Sequence, residues 1–498
     1  MENHTALVNS VSAQVRRFHD AGIPFRIYHG STNSTRTVVR DLSTSVDISA
    51  LNNVLCVDTQ RKIASVQPNV PMDALIKATL AEGLIPEVVP EFPGITVGGG
   101  FSGSAGESSS FKYGFLDSTI DRVQCVLGDG AIREVGPSGD AEEKELFMAL
   151  AGTLGTMGVL TRLDVRLLEA KPYVKLTYQP VWSFQEAKDM IQTAISAEAG
   201  NDFVDGILYS KTKGAIVSGK MVSETGGGKV TQYSRPRDEW CFIHTEEMIE
   251  GHNTKSYMEK RSTSPVVDFV PLTDYLFRYD RGAFWMGKLG CQHFCLPFTK
   301  TTRTLLDSLF HTREMYTALH ASRMQEFHIV EDLAVPFRNM VPFLNYLEDD
   351  FEIYPLWLCP LQYQATGLQV RHLPKKELVM SVGVWGPYGK KHASFKEANL
   401  ALEAKVKDLE GVKWLYAQCF YTMEEFWDIY DREVYQRLRV KYSATALPDI
   451  YCKIKPVCKE EPATFLEAFW EMIFRFWLVG GVYGLYSAWR RANYVLKR

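Results

Sequence analysis

Between residues 93 and 114 the chain reads PGITVGGGFSGSAGESSSFKYG, which puts seven glycines and five serines into twenty-two positions. Glycine reaches positive φ without steric cost and leaves nothing between its amide and a neighbour. Such a run therefore loses entropy on folding unless something must approach the backbone closely. A phosphorylated cofactor has that requirement. Gly98, Gly100 and Gly103 satisfy G-x-G-x-x-G, but a nicotinamide-binding turn needs a strand before it and a helix after it. Here Pro90 and Pro93 precede closely, and SGSAGESSSFKYG is among the poorest helix formers in the chain. No G-x-x-x-x-G-K-S/T occurs, which removes a P-loop. The expectation is a nest of successive amides and hydroxyls around an anion, without a helix dipole.

Two further stretches share this texture. YHGSTNSTR (28–36) follows the apolar run IPFRI, and GTLGTMG spans 152–158. Three such loops in one unit point to an extended ligand with a diphosphate in its middle. Around them, residues 54–70 and VQCVLGDGAIREV read as β-hairpins, the second turning at Asp129-Gly130. PMDALIKATLAEGLIP reads as a short helix closing near Gly83, and EEKELFMAL as a helix that leads through glycines into a long strand. Leu7, Val11, Val15 and Phe18 mark an amphipathic N-terminal surface helix, neither a signal peptide nor a span. From Tyr173 the texture shifts to aromatic-rich strands and longer helices, broken at ETGGGK (224–229).

A net charge of -4 gives no field for nucleic acid. Nine scattered cysteines argue for reduced thiols facing the cytosol. Cys291, His293 and Cys295 have ligand-like spacing, but no second ligand pair lies nearby, so no metal is expected. The C-terminal stretch has no charge between Phe476 and Trp489, which is short of the roughly 20 residues of a spanning helix. Glu467, Glu471 and Arg475 share one helical face opposite aromatic residues, the pattern of an interfacial membrane helix or of a buried docking helix.

The succession HGSTNST, PGITVGGGFSGSAGESSSFKYG, LGDG and GTLGTMGVLT resembles the FAD-binding domain of the FAD-linked oxidase superfamily, the PCMH or vanillyl-alcohol-oxidase type. ESSSFKYG, PLTDYLFRYDRGAFW, EDLAVPF, IYPLWLCP, YAQCFYTMEEFWDIY and LPDIYCKI narrow the resemblance to the diminuto-type delta(24)-sterol reductases, over about residues 10–455. With the texture of the chain it gives an expected α+β organisation: a two-subdomain PCMH-type FAD-binding domain (1–172), an α/β substrate or cap domain (173–456) whose last part packs back, and, read from the residues and not from the resemblance, a hydrophobic helical tail (457–498). These reductases carry an N-terminal membrane helix. Here the flavin domain comes first, and the tail is expected to substitute as the anchor, at the endoplasmic reticulum with the catalytic part facing the cytosol.

By this resemblance FAD lies along His29, Gly30, Ser31, Thr32, Asn33, Ser34 and Thr35. It continues along Pro93, Gly94, Ile95, Thr96, Val97, Gly98, Gly99, Gly100, Ser104, Glu107, Ser108, Ser109, Tyr113 and Gly114, and ends along Gly155, Thr156, Gly158, Val159 and Leu160. His29 stands one or two places too early for covalent attachment, so FAD is expected to be non-covalent. The resemblance also implies that NADPH delivers electrons and that an isolated side-chain double bond of a sterol or terpenoid is reduced. Such a bond needs a proton from a dry pocket with aromatic walls. Glu107, Tyr354, Glu331 and Asp332 are the candidate acids, each with a plain structural reading beside it. Arg278 and Arg281 either stabilise reduced flavin or the NADPH phosphate, or pair with Asp280. Phe284, Trp285 and Trp357 are pocket or core wall. The competing functions are a flavin oxidase of a secondary metabolite and a non-catalytic flavin or sterol binder.

Overall fold

The computed structural model describes residues 2–30, 33–36, 41–250, 266–322, 328–364, 366–374, 376–389, 391–456, 482–484, 486–487 and 489–490. The N-terminal helix Glu2–Asp20 buries His4, Val8, Val11, Val15 and Phe18 on one stripe, as its apolar spacing dictates. After it come a parallel pair, β1 (Arg26–Tyr28) and β2 (Ser45–Asp47). Six strands then form an antiparallel sheet: β3 (Val54–Asp58), β4 (Ile63–Val66), β5 (Leu84–Pro86), β6 (Ile120–Val126), β7 (Ile132–Val135) and β8 (Val159–Glu169). Their order is β3-β4-β8-β6-β7, with β5 also on β8. The hairpins β3–β4 and β6–β7 and the helices Met72–Leu80 and Ala141–Leu150 stand where the local patterns put them.

One local expectation fails. Val97–Ser102 is a helix, not a loop nest, although three of its six residues are glycine. Thr96 caps it, its Oγ1 accepting from the Gly99 amide at 3.2 Å, while Val97 and Phe101, one turn apart, are fully buried. Packing of that face overrides the poor intrinsic propensity.

The second sheet has eight strands: β9 (Tyr173–Val181), β10 (Phe203–Ser210), β11 (Lys213–Val222), β12 (Val266–Pro271), β13 (His328–Pro336), β14 (Leu356–Gln362), β15 (Leu378–Pro387) and β16 (Val412–Lys413). Their order is β12-β9-β11-β10-β14-β15-β13-β16. Side chains alternate across it. Leu333, Leu358 and Val382 join a core under the helices Phe184–Ala194, Met340–Asp350 and Phe395–Asp408. Val330, Trp357 and Trp385 face the other way, into a core continuous with the first sheet.

The helix Arg432–Lys441 and the segment after it return to the first half of the chain. The Tyr435 hydroxyl donates to Thr156 Oγ1 at 2.9 Å, Arg439 donates to the Thr156 carbonyl at 2.9 Å, and the Phe25 amide donates to Ala446 O at 3.0 Å. Most of the tail, 457–481 and 491–498, lies outside the described residues. Among the described residues no helix is long and apolar enough to cross a membrane.

Candidate functional site

A cleft of about 280 Å³ runs between the glycine-rich segments of the first half and the face of the eight-stranded sheet that carries Asp332, Trp357 and Trp385. Its first wall is backbone. Gly98, Gly99, Gly100, Gly103 and Gly106 line it, joined by Gly155 and Gly158 from the third loop and by His29, Asn33 and Ser34 from the first. The glycines are needed mainly behind the cleft. A Cβ on Gly98 would stand 2.6 Å from Pro68 Cβ, and one on Gly100 would stand 2.4 Å from Leu116 Cδ2. Because the segment packs so tightly on its support, its open side presents main chain. Arg26, Arg36 and Lys453 also border the cleft. This combination of bare amides, small polar groups and basic side chains suits a dinucleotide with a diphosphate.

Remote parts of the chain fix the first loop. Ser34 Oγ donates to Tyr416 O at 2.6 Å, the Thr35 amide donates to the same carbonyl at 3.2 Å, and Arg36 Nη1 donates to Lys453 O at 3.1 Å. His320 Nε2 stands 2.6 Å from Ser34 O, and burial presses its pKa down to about 4. Ser31 and Thr32 lie outside the described residues.

The opposite wall is the sheet. Asp332 of β13, Trp357 and Cys359 of β14, and Ser381 and Trp385 of β15 line it. Asp332 and Trp357 flank Gly383 in one cross-strand row. A Cβ on Gly383 would stand 3.1 Å from both Asp332 Oδ1 and Trp357 Cβ, so glycine makes room for both side chains. Tyr416 donates its hydroxyl to Asp332 Oδ2 at 2.9 Å; Oδ1 and the Trp385 indole N–H are both shielded and complete no hydrogen bond, although Trp385 stands near enough to favour the carboxylate. Burial drives the Asp332 pKa up to about 7, against the pull of Tyr416 and Trp385. Glu91 also borders the cleft. Burial and the nearby Asp332 carboxyl raise it to about 8, opposed by its own backbone amide. A carboxyl in a dry cleft favours the protonated state, and a neighbouring carboxylate adds to that for Glu91.

The other candidate side chains are elsewhere. Arg278 and Arg281 are corrected: neither lines the cleft, and neither pairs with Asp280. Arg278 Nη2 donates to Asp205 Oδ2 at 2.8 Å between the rings of Tyr275 and Tyr279. Asp205 also accepts from Tyr279 at 2.8 Å and from Trp357 Nε1 at 3.2 Å, so this buried hub orients a cleft tryptophan. Arg281 donates to Asp307 at 2.7 Å and to the carbonyls of Tyr233, Pro236 and Asp238. Glu331 points to the helix face and is bound at 2.8 Å by Lys413, which also binds Glu403 at 2.8 Å. Tyr354 donates to Glu348 at 2.6 Å, packed against the core on that same helix face. Glu107 closes a turn, accepting from Ser108 Oγ at 2.6 Å and the Ser109 amide at 2.9 Å.

Among the other cofactor candidates, Ile95, Thr96 and Leu160 reach the cleft. Gly30, Thr35, Pro93, Gly94, Val97, Ser104, Ser108, Ser109, Tyr113, Gly114, Thr156 and Val159 do not line it. Ser108 ties the loop to the second sheet, its Oγ 3.0 Å from Tyr275 Oη and its carbonyl accepting from the Val204 amide. Sequence reasoning missed Glu91, Arg36, Tyr316, Trp385, Tyr416 and Lys453. Tyr416 stands at the head of the YAQCFYTMEEFWDIY block, which was a usable signal; Glu91, set between prolines, offered none.

A family model described as FAD binding domain matches residues 6–136. The delta(24)-sterol reductase of Homo sapiens is 30% identical over 416 residues, covering 81% of this chain and 76% of the relative. The chain belongs to the delta(24)-sterol reductase family. A Caenorhabditis elegans homologue of the same reductase is 26% identical over 484 residues, with coverage of 91% and 87%. The Arabidopsis thaliana delta(24)-sterol reductase is 26% identical over 454 residues, with coverage of 84% and 77%. The match to the FAD domain agrees with the backbone-walled cleft, so membership in this family and an FAD site rest on independent observations.

Proposed function

We propose that this protein is an FAD-dependent reductase that saturates the side-chain delta(24) double bond of a sterol, with NADPH as electron donor. The observation that carries the reading is Asp332. Its carboxyl is held near neutrality and has one oxygen without a partner, on an aromatic wall facing the glycine-rich one. Bound FAD supplies hydride chemistry there. Asn33, Ser34, Gly98–Gly100, Gly155, Arg36 and Lys453 would hold it, without a covalent bond.

An isolated alkene has no electron-withdrawing group, so hydride addition at one carbon requires proton delivery to the other. Asp332 Oδ1 holds that proton, and the Tyr416 hydroxyl fixes the carboxyl's orientation through Oδ2. Burial keeps the Asp332 carboxyl protonated up to about pH 7. Trp357, Trp385 and Trp414 offer π faces to positive charge developing on the alkene carbon.

We read residues 1–172 as the FAD-binding unit, 173–456 as the substrate unit with its end returning to the first, and 457–498 as a tail on the endoplasmic reticulum membrane, the catalytic part facing the cytosol. Anaerobic titration with NADPH should bleach the flavin absorbance stoichiometrically, and a delta(24)-unsaturated sterol should restore it. A flavin indifferent to NADPH and reduced directly by alcohols would overturn the proposal. Deleting 462–498 should move the protein from the membrane pellet to the supernatant; retention in the pellet would remove the tail as the main anchor.

A further inference from the structure

A second cavity, of about 150 Å³, adjoins the cleft. The helices Met286–His293 and Thr312–Ser322 form its sides, with Val330 and Trp385 as its floor. Its lining is almost wholly carbon, from side chains such as Leu289, Phe294, Leu309, Met315 and Leu319. Tyr316 and Trp385 belong to both cavities. The Val330–Trp385 pair also lies two residues along the same sheet face from the Asp332–Gly383 pair, about 7 Å at ordinary strand rise. An apolar group seated in the chamber therefore ends beside the Asp332 carboxyl.

We infer that this chamber takes the branched alkyl side chain of the sterol while the fused rings remain outside it, on the apolar rim; the assignment rests on the reductase reading above. Size decides between chain and rings. A cavity of 150 Å³ matches the scale that accommodates a ligand about the size of benzene, too small for a whole sterol. Chemistry agrees, because the branched terminus of the substrate carries no polar atom and the chamber asks for none. The rim supplies the rest. Leu296 is exposed at the mouth. Gly484 of the tail packs on Ala318 and Ser322 of the flanking helix, leaving Val482, Tyr486 and Trp489 exposed. Apolar and aromatic side chains beside the mouth form the surface on which a sterol still partly in a bilayer can rest.

Gly290 provides the test, because it lines the chamber and a Cβ added there meets nothing within 4 Å. In the holoenzyme, Gly290→Ala should behave as wild type, whereas Gly290→Leu and Gly290→Phe should raise KM for desmosterol progressively, the Phe variant by about tenfold or more through lost apolar contact. Binding of the fluorescent sterol cholestatrienol, followed by energy transfer from tryptophan, should weaken in parallel. Flavin bleaching by NADPH should stay unchanged and shows that each variant folds; Met315→Trp plugs the chamber from the opposite wall should Gly290→Phe lose its flavin. Unchanged sterol binding and KM in a plugged, flavin-loaded variant would overturn the assignment, as would failure of the wild type to bind cholestatrienol. Gly290-dependent binding without desmosterol turnover would sink the reductase reading and leave the chamber assignment standing.

Discussion

Tyr416 and Asp332 are joined by a hydrogen bond of 2.9 Å that occupies one carboxyl oxygen and leaves the other without a partner. A carboxyl so held at about pH 7 is poised to give a proton. Asp332→Asn is expected to lower kcat for a delta(24) sterol by about a hundredfold or more while NADPH still bleaches the flavin. Equal loss of both half-reactions would place Asp332 in the scaffold.

The same pair sets a pH dependence. Asp332 works in its protonated form, so turnover should fall as pH rises through about 7. Tyr416 favours the carboxylate, so Tyr416→Phe should move the alkaline limb to higher pH, measurable in a kcat–pH profile of the variant against wild type. Unfolded aspartate ionises near 3.8, so the folded state binds the extra proton in between and this group's contribution to stability declines from pH 3.8 to 7.

Arg278 and Asp205 form a buried pair at 2.8 Å. Arg278→Met leaves the Asp205 charge without its counter-ion and should destabilise the fold by about 3–5 kcal/mol in urea titration. Adding Asp205→Asn should recover much of that loss, whereas an arginine serving the cofactor would show its defect in flavin content and not in stability.

Gly98 and Gly99 separate packing from binding. Gly98→Ala drives a methyl against Pro68 Cβ and the Pro68 carbonyl, at 2.6 and 2.9 Å, and should cost about 1–3 kcal/mol of stability even in the apoprotein. At Gly99 the added Cβ meets only Thr96 Oγ1, at 2.9 Å, and the residue opens to the cleft. Gly99→Ala should show its main effect as a higher Kd for FAD, read by fluorescence titration of the apoprotein.

His311 sits between Asp280 and Asp307, and hydrogen bonds to the two carboxylates lift its pKa to about 10 against a reference of 6.5. The folded value exceeds the unfolded one, so its stabilisation is complete below pH 6.5 and disappears as pH rises through 10. Subtracting the denaturation curve of His311→Gln from wild type should give a difference that is large at pH 6 and small at pH 10. The side chain is partly open to solvent, which tempers its size.

Local chemistry was readable in the sequence wherever the determinants were local. Asp129-Gly130 declared its hairpin, and the spacing of Val11, Val15 and Phe18 declared its helix. The three hydroxyl-and-glycine stretches reach the cleft because composition reports what the backbone must tolerate. The helix Val97–Ser102 was misread because its support, the burial of Val97 and Phe101, is tertiary. The arginines were misread for a similar reason. Asp280 lies within two residues of both in sequence, yet it serves His311 and Thr312, while Arg278 and Arg281 reach partners 73 and 26 residues away. Alternation along EDLAVPF places Glu331 and Asp332 on opposite faces, but only the fold reveals which face meets the cleft.

The first loop of the cofactor cleft is held by carbonyls of Tyr416 and Lys453, more than 380 residues further along the chain. A ribosome must therefore pass residue 453 before that loop acquires all its supports. The flavin site is born late, although most of its glycines are made early. Contacts of this span slow closure, and until they form the emerging chain must be sheltered with its cleft unfinished. A cut near residue 410 would accordingly remove no glycine of the cleft and still take away the first loop's anchors.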